Sequence, residues 1–201
     1  MSIHIHRIYT RAGDGGQTAL AGGVKVSKSS VEVESYGESD ELISHLGVVR
    51  AQATDSPGRW GDEIASETDE MFLKIQNTLY EAGAVLASRQ ALSTDAASYD
   101  PTNDPRVTLL ESRIDAYREA FEAIDGFTIP GDCLLNAHAH VARTVCRRWE
   151  RVLVRRHELA PIEPWVLAYS NRLSDYLFAY TRWVTAKLAS DEKLWKGRAT
   201  K

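Results

Sequence analysis

Four arginines, Arg143, Arg147, Arg148 and Arg151, crowd around one glutamate, Glu150, in a stretch that otherwise reads as helix. At 100° per residue, Arg143, Arg147, Glu150 and Arg151 fall within about 100° of one another on a helical wheel. Leu134, Val141, Val145 and Val152 gather on the opposite side, where the core face is expected. A guanidinium is a planar, permanently charged fork that suits phosphate or carboxylate, and Glu150 could hold one such fork in place. The pattern points to an anionic ligand. The competing reading is a solvated charged face, the commoner fate of a charge run.

A second set of residues with binding chemistry lies near the amino terminus, in Thr10-Arg11-Ala12-Gly13-Asp14-Gly15-Gly16-Gln17-Thr18 and Gly22-Gly23-Val24-Lys25. Glycines let backbone N–H groups turn inward as a nest around phosphate oxygens, with Thr10, Thr18, Lys25 and Lys28 adding donors or charge. No Gly-Lys-Ser/Thr occurs there, so it is not a Walker A loop, and Gly13-x-Gly15 lacks the third glycine of a dinucleotide fingerprint. On residue chemistry alone, both a phosphate nest and a mobile terminal arm remain open.

Polar residues also interrupt the helical segments. Asp40 and Glu41 read as the start of the first long helix, with Asp40 facing the helix dipole, and Asn171 and Asp175 stand one turn apart further on. Capping or solvent exposure would explain each of them singly. Cys133 and Cys146, thirteen residues apart, would lie about 20 Å apart along one helix and cannot form a disulfide. His138 and His140, two apart, point in different directions on a helix and make a poor zinc site. Nor does the chain show a Ser-His-Asp or Cys-His constellation for nucleophilic catalysis.

The elements that must position these groups follow from apolar periodicity. Leu42, Leu46 and Val49 mark a first helix, Ile64 to Leu86 a second, and Val107 to Phe121 a third. The fourth carries the arginines, and the fifth spans roughly 162–189. Breaks fall at Ser56-Pro57-Gly58, at 92–105, at Phe127-Thr-Ile-Pro130-Gly131 and between Pro161 and Pro164. The expected fold is all-α, a five-helix antiparallel bundle in a ferritin-like up-down arrangement. A glycine-rich loop at 1–30 precedes the bundle at 31–190, and a flexible tail follows at 191–201. With 201 residues and no internal repeat, one domain is expected.

A net charge of −4 and a pI near 5.9 disfavour a general nucleic-acid binder. No apolar run reaches membrane-spanning length and no signal-peptide pattern opens the chain, so a soluble cytoplasmic protein is expected.

Five blocks then occur in order: Ile8 to Thr18, Tyr36-Gly-Glu-Ser-Asp40-Glu41-Leu42, Phe127-Thr-Ile-Pro130-Gly131, His140 to Arg151, and Asn171-Arg-Leu-Ser-Asp175-Tyr-Leu177. Together they resemble the PduO-type ATP:corrinoid adenosyltransferase family over essentially the whole chain. The resemblance implies transfer of the 5'-deoxyadenosyl group of ATP to the cobalt(I) of cobalamin or a related corrinoid, releasing tripolyphosphate. It implies a homotrimer, with ATP and cob(I)alamin between subunits and Mg2+ accompanying the nucleotide. It also implies a flavin-type reductase upstream and a B12-dependent enzyme downstream.

Carried over by position, the nucleotide contacts in the amino-terminal segment are Thr10, Arg11, Ala12, Gly13, Thr18, Ala19 and Lys28. On the helices they are Arg147, Arg148, Trp149, Glu150, Arg151 and Asn171. Arg147 matches a catalytic residue, Asp40 and Arg143 an ion pair across the subunit interface, and Phe127 the aromatic group on the lower face of the corrin ring. The chain departs from the family pattern at Asp132-Cys133-Leu134-Leu135, at Trp149 in place of alanine, and at Ser39. A rival reading is a non-catalytic ATP or cobalamin carrier, and a third is a purely structural bundle.

Overall fold

Ser30 holds an extended backbone (φ −72°, ψ 151°) and its hydroxyl accepts a hydrogen bond from the Val33 N–H, a side-chain cap that starts α1 (Val31–Asp55). Pro57 opens a single turn, α2 (Pro57–Trp60), which the Trp60 indole fastens to the Gln52 carbonyl at 2.7 Å. Gly61, at φ 87°, then reverses the chain into α3 (Asp62–Leu86). Asp104 caps α4 (Pro105–Arg118), and the thiol of Cys133 accepts from Asn136 N at the start of α5 (Leu134–Leu159). Proline again begins α6 (Pro164–Lys187), where its missing N–H costs nothing. The computed structural model describes residues 9–88, 92–93 and 95–197. Ile8, with the rest of 1–8, and residues 198–201 of the expected tail lie outside them.

The five long helices form the all-α bundle that the periodicity predicts, with α2 as an added turn. α1 lies between α3 and α5, α6 lies between α5 and α4, and α3 also touches α6. Leu42, Leu46, Phe72, Ile75, Leu153 and Leu177 meet in one core, lined on one side by the rings of Tyr117, Tyr176, Tyr180 and Trp183. These phenols are buried with partners. Tyr180 shares a 2.6 Å hydrogen bond with Thr68, and Tyr117 donates to Glu67 at 2.6 Å. Cys133 and Cys146 are free thiols.

Several expectations are corrected. The segment before α1 contains an antiparallel hairpin, β1 (Gln17–Ala19) with β2 (Lys25–Ser27), turned by Gly22 and Gly23 at positive φ. Three-residue strands are too short to show periodicity. Leu20 is buried, and Ala21 N donates to the Ala87 carbonyl at 2.9 Å, tying the hairpin to the end of α3. Part of the tail expected to be flexible, Lys193 to Trp195, is bonded to the segment before α5. Ile129 N donates to Lys193 O at 2.6 Å and Trp195 N to Phe127 O at 2.8 Å, flanking a bridge between Thr128 and Leu194. Asp40 is not at a helix start, because α1 begins at Val31. Phe121 lies beyond α4, which ends at Arg118.

The core face of α5 lies about a quarter turn from the expected one. Leu135, Ala139, Ala142, Cys146, Trp149 and Leu153 are buried on it; of the expected four, Val145 and Val152 are buried at its edge, whereas Leu134 and Val141 are 51% and 41% exposed. Between Leu135 and Leu153 this face is marked by Ala139, Ala142, Cys146 and Trp149, which carry less weight in an aliphatic pattern than valine and leucine. Trp149 is fully buried, with its indole donating to the Ser35 carbonyl of α1 at 2.9 Å. Replacing it should leave a large cavity. Trp149→Ala is expected to cost about 3–5 kcal/mol of stability, measured by urea denaturation.

Candidate functional site

The rotation of α5 sorts its charged residues. Arg148 turns toward α1, where its Nε donates to Glu38 at 2.6 Å and its Nη2 to Glu41. Arg155 reaches Glu34 of the same helix. The hydrogen bond from Arg148, with its charge, holds the Glu41 carboxyl below the usual carboxylate range. Both arginines therefore brace α5 against α1. Trp149, expected among the nucleotide contacts, has its whole side chain inside the core.

Arg143, Arg147 and Arg151 are left on another face, and among the described residues none of the three has a carboxylate at ion-pair distance. Arg151 lies along the helix, its Nη1 donating to the Arg147 carbonyl at 3.0 Å. Glu150 accepts a 2.9 Å hydrogen bond from the Asn171 amide of α6, which joins two of the predicted site residues across the α5–α6 groove. Asp175, by contrast, pairs with Arg172 at 3.1 Å.

Arg143 is half-buried, and its Nε donates to His140 Nδ1 at 3.3 Å. That bond requires a neutral imidazole with a free lone pair at Nδ1. Burial, then the Arg143 charge, lower the His140 pKa from 6.5 to about 4, so the ring is neutral at pH 7. Burial and the nearby Arg147 also disfavour the Arg143 cation. An incoming anion would relieve this crowding of like charge.

The amino-terminal loop forms a separate unit. Gly16 N donates to Gly13 O at 3.1 Å and Lys28 N to Gly16 O at 2.9 Å, which folds the loop back on the start of α1. A Cβ on Gly13 would stand 2.9 Å from Lys28 Nζ, so glycine is what lets the ammonium lie against the loop. Arg11 adopts φ 61°, a left-handed conformation that re-aims the adjoining N–H groups, and Thr10 Oγ1 accepts from Ala12 N at 3.5 Å. Thr18 and Ala19 follow in β1, where they pair with Val26 and Lys25. A cavity of about 340 Å3 beside the loop is lined by Lys28, Ser29, Val33, Glu34, Gly37 and Glu38.

Within one chain these sets are not bonded to each other. Among the described residues, no hydrogen bond or ion pair joins residues 10–19 or Lys28 to Arg143, Arg147, Glu150, Arg151 or Asn171. Asp40 is exposed and its carboxylate has no described partner, so it does not pair with Arg143 of its own chain. Phe127 stands 75% exposed at the other end of α5, with its ring 6.4 Å from that of Trp195.

A sequence profile for cobalamin adenosyltransferases matches residues 8–184. The chain belongs to this family. It is 39% identical over 181 residues to the corrinoid adenosyltransferase of Bacillus subtilis, covering 90% of this chain and 88% of that one. Identity to the corrinoid adenosyltransferase of Citrobacter freundii is also 39%, over 89% of this chain and 94% of that one. Among solved structures, it is similar to a variant PduO-type ATP:corrinoid adenosyltransferase from Lactobacillus reuteri complexed with cobalamin and ATP. That likeness has a TM-score of 0.80 and 31% identity, over 94% of this chain and 99% of the other.

For this cobalamin adenosyltransferase-family chain, sequence reading weighed His140 as a zinc ligand and passed over it as an acceptor for Arg143. The i, i+3 spacing of the two residues was the available signal. Trp195 was also missed, because the pairing that brings it to Phe127 is too short to read from sequence.

The depressed His140 pKa makes a pH prediction. Between pH 6.5 and about 4 the unfolded chain binds a proton there that the folded chain does not. The contribution is therefore fully present above pH 6.5 and is lost as pH falls toward 4. Urea midpoints should decline over this window, and His140→Gln should show a shallower decline.

Proposed function

We propose that this chain transfers the 5'-deoxyadenosyl group of ATP to the cobalt(I) centre of a corrinoid. The observation that carries this reading is the set of Arg143, Arg147 and Arg151, none with a described carboxylate at ion-pair distance, beside a Glu150 engaged by Asn171. Three guanidiniums held close together call for a polyanion, and the triphosphate of ATP supplies one. The Gly13–Lys28 loop adds backbone donors and an ammonium. No described bond joins loop and arginine face in one chain, and this reading completes the site at the junction of two copies in a homotrimer. Asp40 of one copy would then neutralise Arg143 of the next.

The reaction is a displacement at carbon. The electron pair of cobalt(I) forms the bond to C5' while the C5'–O bond breaks, and tripolyphosphate departs with the bonding pair. No proton is abstracted, so no general base is needed. The tasks left to the protein are alignment of C5' with cobalt and stabilisation of the leaving charge. Arg147, Arg151 and Lys28 suit the second task.

Among the described residues no group of three or more His, Cys, Asp or Glu could hold a metal. Magnesium in this reading is bound by the triphosphate oxygens, as that ion commonly is, and no protein ligand set is assigned to it. Phe127, exposed and backed by Trp195, offers an apolar face for the lower side of the corrin ring. Excluding a lower ligand there would make cobalt(II) easier to reduce, since axial ligation sets a metal's potential. No helix among the described residues is long and apolar enough to cross a membrane, and the proposed setting is the cytoplasm, with a reductase supplying electrons and a B12-dependent enzyme taking the product.

The test is anaerobic. Protein, magnesium-ATP and pre-reduced cob(I)alamin should give loss of the cobalt(I) absorption and a light-sensitive product, dependent on both protein and ATP. Binding of ATP without product would instead favour a carrier. In the same assay Arg147→Ala should lose on the order of 100-fold in kcat with an unchanged circular dichroism spectrum. Phe127→Ala should lose far more activity when the assay starts from cobalt(II) than when cobalt(I) is supplied, and equal losses would remove its role in reduction.

A further inference from the structure

Phe127 stands 75% exposed, so burial does little to fix its ring, and the backbone that carries it decides where it lies. That backbone is fastened from α6. Arg182, 7% exposed near the end of the helix, donates through Nε to Oε1 and through Nη2 to Oε2 of Glu192, each at 2.9 Å. The same Nη2 donates to the Glu122 carbonyl at 2.9 Å, and the guanidinium carbon lies 4.2 Å from the centroid of the Phe121 ring. One side chain thus grips both the connection that leads to Phe127 and the tail that runs beside it.

The tail reaches Arg182 by turning back. Ala189 follows α6 in the left-handed region, at φ 48°, and Ser190 N donates to the Thr185 carbonyl at 3.0 Å, a helix end for which glycine is the usual residue. Directly after Glu192 come the pairings of Lys193 with Ile129, Leu194 with Thr128 and Trp195 with Phe127. Glu192 therefore sets where this pairing begins. The far end of the connection is also held by α6, with Thr185 Oγ1 donating to Asp132 at 3.1 Å.

A buried ion pair is a weak source of stability, because desolvation offsets much of its attraction. What the planar fork supplies is direction: two parallel bonds to one carboxylate and a third to a carbonyl, a set that a lysine ammonium cannot match. We infer that Arg182 is a positioning residue for the corrinoid reaction: through Glu192 and the Glu122 carbonyl it holds Phe127 at the height where the ring keeps a lower ligand off cobalt. The inference rests on the transfer and on the role of Phe127 proposed above. In the step concerned, the lower ligand leaves cobalt(II) with its electron pair, and one electron from a reduced flavin then gives cobalt(I). Slack in the clasp would readmit the ligand, so the loss falls on reduction rather than on transfer.

The experiment uses the full chain with Arg182→Lys and, from the less buried side of the pair, Glu192→Ala, each checked for native circular dichroism. Without any ligand, hydrogen exchange at the Ile129 and Trp195 amides should speed up about tenfold in both, the effect of losing a charge-assisted hydrogen bond. With ATP and cob(II)alamin bound, the share of cobalt(II) lacking a lower ligand, read by electron paramagnetic resonance, should fall. The rate from cob(II)alamin and reduced flavin, divided by the rate from pre-reduced cob(I)alamin, should drop about tenfold. With Phe127→Ala already present, neither change should lower that ratio further. No turnover by the unaltered protein from cob(I)alamin removes the transfer reading and this inference with it. Turnover from cob(I)alamin, with the ratio and the resonance spectrum unchanged in the folded variants, overturns this inference alone, as does an equal further loss in the Phe127→Ala background.

Discussion

The rotational setting of α5 against α1 is the constraint on which the site depends. The buried Trp149 indole bonded to Ser35, with Arg148 on Glu38 and Glu41 and Arg155 on Glu34, fixes which side of α5 faces its neighbour. The ion pairs are partly exposed and each contributes modestly. The tryptophan is the stronger term, since it fills core volume and carries a hydrogen bond. With those residues engaged inward, Arg143, Arg147 and Arg151 have no choice but to face away from α1. An arginine face without described carboxylate partners thus arises as the complement of a packing face.

That arrangement stores unfavourable electrostatics where a ligand can relieve it. Arg143 is half-buried, crowded by Arg147, and steadied by the lone pair of a neutral His140 rather than by a carboxylate. A carboxylate there would have stabilised the free chain by neutralising Arg143. Glu150, the one acid in the run, is occupied by Asn171 and so bridges two helices beside the arginines. The loop shows a similar economy of space: absence of a side chain at Gly13 lets Lys28 lie against backbone that also offers N–H donors.

Much of this was legible before any coordinates. The apolar spacing and the breaks at Pro57, Pro101 to Pro105, Pro130 and Pro161 to Pro164 correspond to the observed helices and connections. The arginine cluster stood out by composition, and the resemblance placed the chain in its family. Less legible were features made by contact between distant segments. The hairpin at Gln17–Ala19 and Lys25–Ser27 has no periodicity to detect, and its turn is secured by a carbonyl at Ala87. The pairing of Thr128 with Leu194 links residues far apart in the chain through a single bridge.

The sequence by itself determined where the helices run, that a cluster of permanent cations lies on one of them, and that a glycine-rich segment precedes the bundle. These are local properties, set by side-chain spacing and by what proline and glycine permit. Only the tertiary structure decided which of those cations are free. Periodicity centred the core of α5 on the valine side, where Val145 and Val152 are buried, whereas packing against α1 and α6 turned the centre toward Ala139, Ala142, Cys146 and Trp149. Close helix approach favours small residues with one large side chain seated among them, and that preference depends on the shape of the neighbour. Whether Arg148 serves a ligand or a neighbouring helix depends likewise on where Glu38 and Glu41 lie after folding, which is a fact of three dimensions.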